Sequence, residues 1–416
     1  MPPVPLTSVA RCFARFVTSL ALDDVPAPVV SRTTLLALDT IGSCLASSTM
    51  DFGRAVIQTA ERLGGAHESS LIGGKTKVAA PNAVLANGTL AHGLDFDDTR
   101  EEAIVHTGSV AVPTALAVGE AVNASGKAVL EAMIAGVEVM CRVGLAVPGK
   151  FHARNFHPTA LTGSFAAAAV AGKLYGLTED QLVHAFGICG SQAGGIIEYL
   201  ADGSWTKRFH PGWASHAGVV ATFLAQSGFT GPESVFEGRQ GFYQAFAGGC
   251  DENRLRELLE SLGKVWEAEQ LTFKPYPCGS IAHPYMDCAL RLRERSGIRA
   301  DQIVEVVCRT AEGPVPRLWE PLAAKVNYEL DSTIRYPEQF AGHLMLKLDD
   351  GRVVEESQDH PRGGPDFPMP REELLAKFRG NAGLLLSSEK IERIIWEIGG
   401  LAARREIASL VSVLTK

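Results

Sequence analysis

The chain has 416 residues, 46% of them hydrophobic and 21% charged, which excludes wholesale disorder and gives enough length for two domains. A formal net charge of −8 argues against nucleic acid as a partner, because phosphate recognition needs a basic surface, while a local cationic pocket for a small anion stays open. The eight cysteines are scattered without a C-x-x-C pair, so they read as reduced thiols of a cytoplasmic protein rather than disulfides, a zinc site or closely spaced iron–sulfur ligands.

In chain order, Arg11 and Arg15 precede the first acid, Asp23, as in an organelle presequence. Val9, Cys12, Phe13 and Phe16 instead share a helical face and predict a first amphipathic helix of the fold. Further helices are predicted over Ser31 to Ser47, Lys127 to Val143, Gly163 to Leu174 and Trp213 to Gln226. Thr178 and Gln181, ahead of Leu182, Ala185 and Phe186, have the form of a capping box. Ala and Gly on several faces suit close-packed, buried helices. No apolar run reaches membrane-spanning length: Lys173 interrupts the one after Ser164, and Pro113 and Glu120 the one after Thr107.

After about Glu267 the pattern changes. Ile303 to Cys308 alternates as a strand, and Leu344 to Leu348 with Val353-Val354 reads as a hairpin about Asp350-Gly351. Pro and Gly gather from Pro361 to Pro370, and Ile391, Ile394, Ile395 and Ile398 mark a closing helix. The predicted fold class is mainly α with a smaller α+β domain. A large all-helical domain occupies residues 1–266, residues 388–416 return to it, and residues 267–387 form an α+β lid.

Polar residues gather in four places. Asp95, Asp97 and Asp98 lie between His92 and His106; on a helix, Asp95 and Thr99 would share a face. A solvated helix end and a metal site are both readings of such acids, although the spacing matches no metal motif. His157-Pro158-Thr159 opens an Ala-rich helix, with Pro fixing a non-helical backbone at the histidine. Lys207 and Arg208 lie between Trp205 and Trp213 in a predicted loop before a helix, types that suit carboxylate binding. In Phe273-Lys274-Pro275-Tyr276-Pro277-Cys278-Gly279-Ser280, followed by His283, two prolines stiffen a loop whose Gly279-Ser280 end can present N–H donors. Gly73-Gly74-Lys75-Thr76 imitates a P-loop, but Ser69 stands where its first glycine belongs.

Taken in order, Asn87-Gly88 to Thr99, His157-Pro158-Thr159, the Lys207 loop, Phe273-Lys274 to His283 and Lys377-Phe378 resemble the MmgE/PrpD family. That family includes 2-methylcitrate dehydratases and cis-aconitate decarboxylases, and an iminodisuccinate epimerase is related. The resemblance implies a helical domain built from the N-terminal part and the last helix, an α+β lid between them, a homodimer, and catalysis in the cleft without metal or organic cofactor. It places Asp95, His106, His157, Lys207 and Lys274 in catalysis and Thr99 at the site. Arg208, Ser280 and His283, from the same segments, complete the expected substrate-binding set with Thr99. The expected activity is a hydro-lyase of the 2-methylcitrate dehydratase type acting on a small polycarboxylic acid. The alternatives are a cis-aconitate-type decarboxylase, a dicarboxylate epimerase, or a non-catalytic carboxylate-binding relative. One departure stands out. Family members carry a segment resembling Phe-Ser-x-Pro-Tyr in the lid, whereas here Trp319 to Lys325 runs straight into Val326 to Asp331, so the lid is expected to be shortened near 325. Tyr328 and Tyr336 lie nearby without the expected context.

Overall fold

Ala and Gly put little side chain between helix axes, so helices built from them approach closely and bury most of their surface. The computed structural model, which describes residues 8–312 and 325–415, follows this pattern through its N-terminal part. Its helices run α1 (Val9–Ser19), α2 (Ala27–Ser47), α3 (Asp51–Leu63), α4 (Ala80–Ala91), α5 (Gly108–Ala121) and α6 (Gly126–Leu145). After one turn, α7 (Lys150–Ala153), come α8 (Pro158–Leu174), α9 (Glu179–Gln192) and α10 (Thr206–Gln226). Two shorter helices, α11 (Phe242–Ala247) and α12 (Glu252–Glu260), follow. Every residue of α5 from Gly108 to Glu120 is buried, as is every residue of α8 from Pro158 to Gly172. The capping box at Thr178 and Gln181 forms with both of its hydrogen bonds.

Among the described residues, Ala27–Ser47 is the one helix long and apolar enough to cross a membrane by length and composition. Of its most apolar window, 72% is buried inside the protein, the setting of a core helix.

The smaller α+β part has its own core. Helix α13 (His283–Ser296) packs on the strands β5 (Gly342–Leu348) and β6 (Val353–Gln358), which form the predicted hairpin. Cys288, Leu292, Leu344, Leu346 and Leu348 meet between them. Strand β3 (Ile303–Thr310) pairs antiparallel with β5, and β4 (Val326–Leu330), exposed along its length, adds a parallel edge to β3. A two-stranded ribbon, β1 (Ser69–Ser70) and β2 (Lys77–Val78), decorates the helical body. The chain thus combines a large helical domain with a smaller α+β one. Of the segment near 325 where the lid is expected to be shortened, residues 319–324 lie outside the described residues.

Past the sheet, α14 (Arg371–Ala382) rests on α2. Helix α15 (Ser388–Gly399) buries Ile391, Ile394 and Ile398, with Ile395 half-buried, and α16 (Ala408–Val413) closes the chain.

Two local expectations change. The Lys207 segment is not a loop: α10 begins at Thr206 and carries Pro211 inside it. Pro211 lacks the N–H that would reach back one turn, and tertiary packing holds the helix through that gap. Residues His92 to Thr99 are not helical either. Helix α4 ends at Ala91 and Asp95 takes a left-handed backbone (φ 52°), so Asp95 and Thr99 share no helix face.

The crossing of α4 and α10 brings these two segments together. A Cβ on Gly88 would lie 2.8 Å from the Cα of Gly212, and one on Gly212 would lie 2.2 Å from the Leu85 carbonyl oxygen. Only glycine permits backbones this close. Gly212→Ala is expected to cost about 1–3 kcal/mol by overpacking. It should appear as a lower urea midpoint at unchanged slope. An unchanged midpoint would show that the two helices separate freely.

Candidate active site

At the end of α4 the chain must turn sharply, and Gly93 makes this possible: a Cβ there would lie 2.4 Å from the Ser47 hydroxyl. His92, the helix C-cap, is buried, and its Nδ1 donates to Asp97, 2.8 Å from Oδ2. Asp98 caps the next helix. Its carboxylate accepts from Thr107 N (3.0 Å), Thr107 Oγ1 (2.7 Å) and Gly108 N (2.7 Å) at the start of α5. Asp95 faces the other way. Lys207 Nζ lies 2.5 Å from its Oδ2, and Lys274 Nζ lies 2.6 Å from its Oδ1 and 2.9 Å from its carbonyl oxygen. A β-bridge between Thr99 and Thr272 sets the two segments side by side and delivers Lys274 to that spot. The Lys274 side chain is 0% exposed, while Lys207 and Asp95 are 24% and 25% exposed, so Lys274 forms the floor and the others the rim.

Beside this carboxylate lie four imidazoles. The rings of His92 and His106 are 4.7 Å apart, those of His92 and His157 are 5.6 Å apart, and His157 and His210 approach to 5.2 Å. His157 is the N-cap of α8, held extended before Pro158. Its Nδ1 lies 3.0 Å from Nδ1 of His210, so one of the two must carry the proton they share. His106 Nδ1 lies 2.7 Å from the Asp98 carbonyl oxygen, which can only accept; Nδ1 therefore holds the proton and Nε2 keeps a free lone pair. Thr99 Oγ1 lies 3.2 Å from the same Nδ1 and 3.0 Å from Ser280 Oγ. Tyr199 packs edge-on to both His157 and His210.

Burial sets the protonation states. It lowers His106 to about 3, helped by the Lys274 charge, and lowers His210 to about 4, helped by His92 and Lys207. His157 falls well below the ordinary imidazole range for the same first reason, with neighbouring His92 and His210 adding to it. Burial alone would raise Asp95 and Asp97. The cations Lys207 and Lys274 override it at Asp95, as His92 and His106 do at Asp97, and both carboxyls sit well below the usual range. At Asp98, burial and the adjacent Asp97 charge win over the three donors and push it up to about 7.

The structure brings Asp95, Thr99, His106, His157, Lys207, Lys274 and Ser280 into one place. Arg208 is turned elsewhere: its Nε donates to the Gly93 carbonyl at 2.7 Å and its guanidinium lies over the Phe52 ring at 4.9 Å, bracing the turn from behind. His283 is buried behind the loop, with Nε2 3.2 Å from the Cys278 carbonyl oxygen and its ring edge-on to Tyr276. His92, Asp97 and His210 belong to the same cluster but were not among the expected site residues. His92 and Asp97 lie within the acid-rich segment that drew attention to Asp95. The one signal for His210 is that His210-Pro211 repeats the His157-Pro158 pairing close to Lys207.

The depressed imidazoles carry a pH signature. Unfolded, each takes up its proton near 6.5; folded, His106 waits until about 3, and His210 and His283 until about 4. Between those limits the unfolded chain binds more protons, so stability falls on acidification by roughly 1 kcal/mol per pH unit for each imidazole. Asp98, raised from 3.8 to about 7, holds its proton in the folded state over that window and offsets one of them. Scanning calorimetry should therefore find Tm falling from about pH 6.5 to about pH 4.5, and falling less steeply in His106→Asn. A flat profile would mean that these imidazoles titrate as they do in a free peptide.

Two family models match the chain: the MmgE/PrpD N-terminal domain over residues 11–254 and the MmgE/PrpD C-terminal domain over residues 315–398. Among curated relatives, a cis-aconitate decarboxylase of Aspergillus terreus is 25% identical, covering 98% of this chain and 96% of the relative. The cis-aconitate decarboxylases of Mus musculus and Homo sapiens are 26% and 25% identical, each over 98% of this chain and 94% and 95% of the relative. The Aspergillus alignment runs over 472 positions against a chain of 416 residues, so that relative carries segments this chain lacks. On the two domain matches, which together cover most of the chain, it belongs to the MmgE/PrpD family.

Proposed function

We propose that the chain is a lyase acting on a small polycarboxylic acid without a cofactor, and that its reaction is decarboxylation of a cis-aconitate-type substrate. The observation that carries this reading is the meeting of Lys207 and Lys274 at Asp95, beside the buried, neutral imidazoles of His106 and His157. The names of the relatives favour decarboxylation over the dehydration expected from the sequence.

In this reading Asp95 keeps the two lysines compensated until a substrate carboxylate takes over part of their N–H donors. Loss of CO2 breaks a C–C bond and leaves its electron pair on the substrate carbon, from which conjugation passes charge to a neighbouring carboxylate. Lys274, dry and already aimed, stabilises that charge as it develops. A proton must then reach the carbon. His157 is the candidate donor: as its Nε2 proton goes to the carbon, the Nδ1 proton of His210 passes to its Nδ1, and His210 takes a replacement proton from solvent. His106, with its proton fixed on Nδ1 by the Asp98 carbonyl, offers the base needed when the reaction begins with proton removal.

The test is NMR of the purified chain with cis-aconitate in deuterated water. The expected result is release of CO2 with one deuteron entering each product molecule. Lys274→Met should lower kcat/KM by about 10²–10³-fold as a lost electrostatic stabiliser. His157→Asn should lower it by about 10²–10⁴-fold as a lost proton donor. Water addition or loss on a citrate-type acid without CO2 would replace decarboxylation by the hydro-lyase reading. No turnover of any polycarboxylate by folded protein would sink both.

A further inference from the structure

We propose that His92, His106 and His157 form a binding site for a zinc-class divalent ion, and that an ion bound there silences the enzyme. The binding half stands on geometry alone; the inhibitory half rests on the lyase reading above.

One ligand nitrogen from each of the three buried histidines lies within 4.8 Å of those of the other two. A zinc–imidazole bond is roughly 2.0–2.1 Å long, so closing the three onto one ion needs each to move by less than about 1 Å. Each of the three rings already has one nitrogen engaged. Nδ1 of His92 is held by Asp97, Nδ1 of His106 by the Asp98 carbonyl, and Nδ1 of His157 by His210. Such outer partners orient metal-binding imidazoles and raise their basicity. The nitrogens left over are the three Nε2, and that of His92 is buried without any hydrogen-bond partner. Leaving such an atom unsatisfied is a penalty that an ion would remove.

The chemistry of the donors selects the ion. Three imidazoles favour zinc, cobalt, nickel and copper over magnesium or calcium, and three ligands leave a fourth position for water or a substrate carboxylate. Asp97 lies directly behind His92 to balance positive charge, and the nearby Lys274 is already paired with Asp95. Inhibition follows from the bonds used. An ion on Nε2 of His106 occupies the lone pair of the base, and one on Nε2 of His157 displaces the proton that this histidine would donate.

The test is calorimetric titration of the full chain with zinc chloride, together with the visible spectrum of its cobalt(II) complex and turnover of cis-aconitate. One ion per chain is expected, with a cobalt spectrum of low-coordinate nitrogen ligation. Asp97→Asn should weaken zinc about 10–100-fold as a lost outer partner. Cys278→Ser, which removes a thiol on the loop beyond Lys274, should leave zinc affinity unchanged. Zinc should abolish turnover and excess chelator should restore it. No binding of either ion by the wild-type chain overturns the site, and this result needs no variant to fold. Affinity unmoved by Asp97→Asn in folded protein, or lost with Cys278→Ser, also overturns it. Turnover that rises with zinc and vanishes with chelator overturns the inhibitory half. Zinc bound as expected by a chain that turns over nothing in its absence would sink the lyase reading and leave the site standing.

Discussion

A carboxylate placed in an apolar helical body must be paired there, and the region around Asp95 is organised by that requirement. Asp95 meets Lys207 from α10 and Lys274 from the segment bridged to Thr99. Asp97 turns back onto His92, and Asp98 caps α5. Asp39 of α2 pairs at 2.7 Å with Lys377 of α14, whose ammonium also donates to the Phe96 carbonyl at 2.7 Å. Four neighbouring acids thus have four different solutions, and each solution ties a separate element to the turn that follows α4. Removing one partner would leave a buried charge without compensation, which couples the stability of the body to the integrity of the site.

The same burial suits the proposed chemistry. The helical interior keeps His106 and His157 neutral, so their lone pairs and N–H groups are available as base and donor at neutral pH. It also keeps Lys274 dry, where its charge acts most strongly on an anion. Close packing supplies the rigidity. Gly88 against Gly212 fixes α4 on α10, so the end of one helix, with His92, and the start of the other, with Lys207 and His210, hold a constant separation. The same arrangement gathers His92, His106 and His157 into one buried cluster, which the proposed zinc-class ion would use.

Much of the architecture was legible because its causes are local. The Ala- and Gly-rich helices, the capping box at Thr178, the His157-Pro158 helix start and the hairpin about Asp350-Gly351 each depend on residues a few positions apart. The start of α10 was not legible: Pro211 marks a boundary in sequence, and only packing against α4 and α8 carries the helix through it. The bend at Asp95 was equally hidden, since its left-handed backbone is held by two lysines far away in sequence.

By itself, then, the sequence determined the fold class, the residue types of the proposed anion-binding acid–base site, and the family resemblance that joins Asp95, His106, His157, Lys207 and Lys274. The first two follow from periodicity and residue chemistry, the third from short motifs in a fixed order. Only the tertiary structure decided that His92, Asp97 and His210 stand among them, that Arg208 turns away to Gly93 and Phe52, and which nitrogen of each histidine is free. The physical reason is that a side chain's partner is set by how distant helices cross, and no local pattern in the chain encodes that crossing.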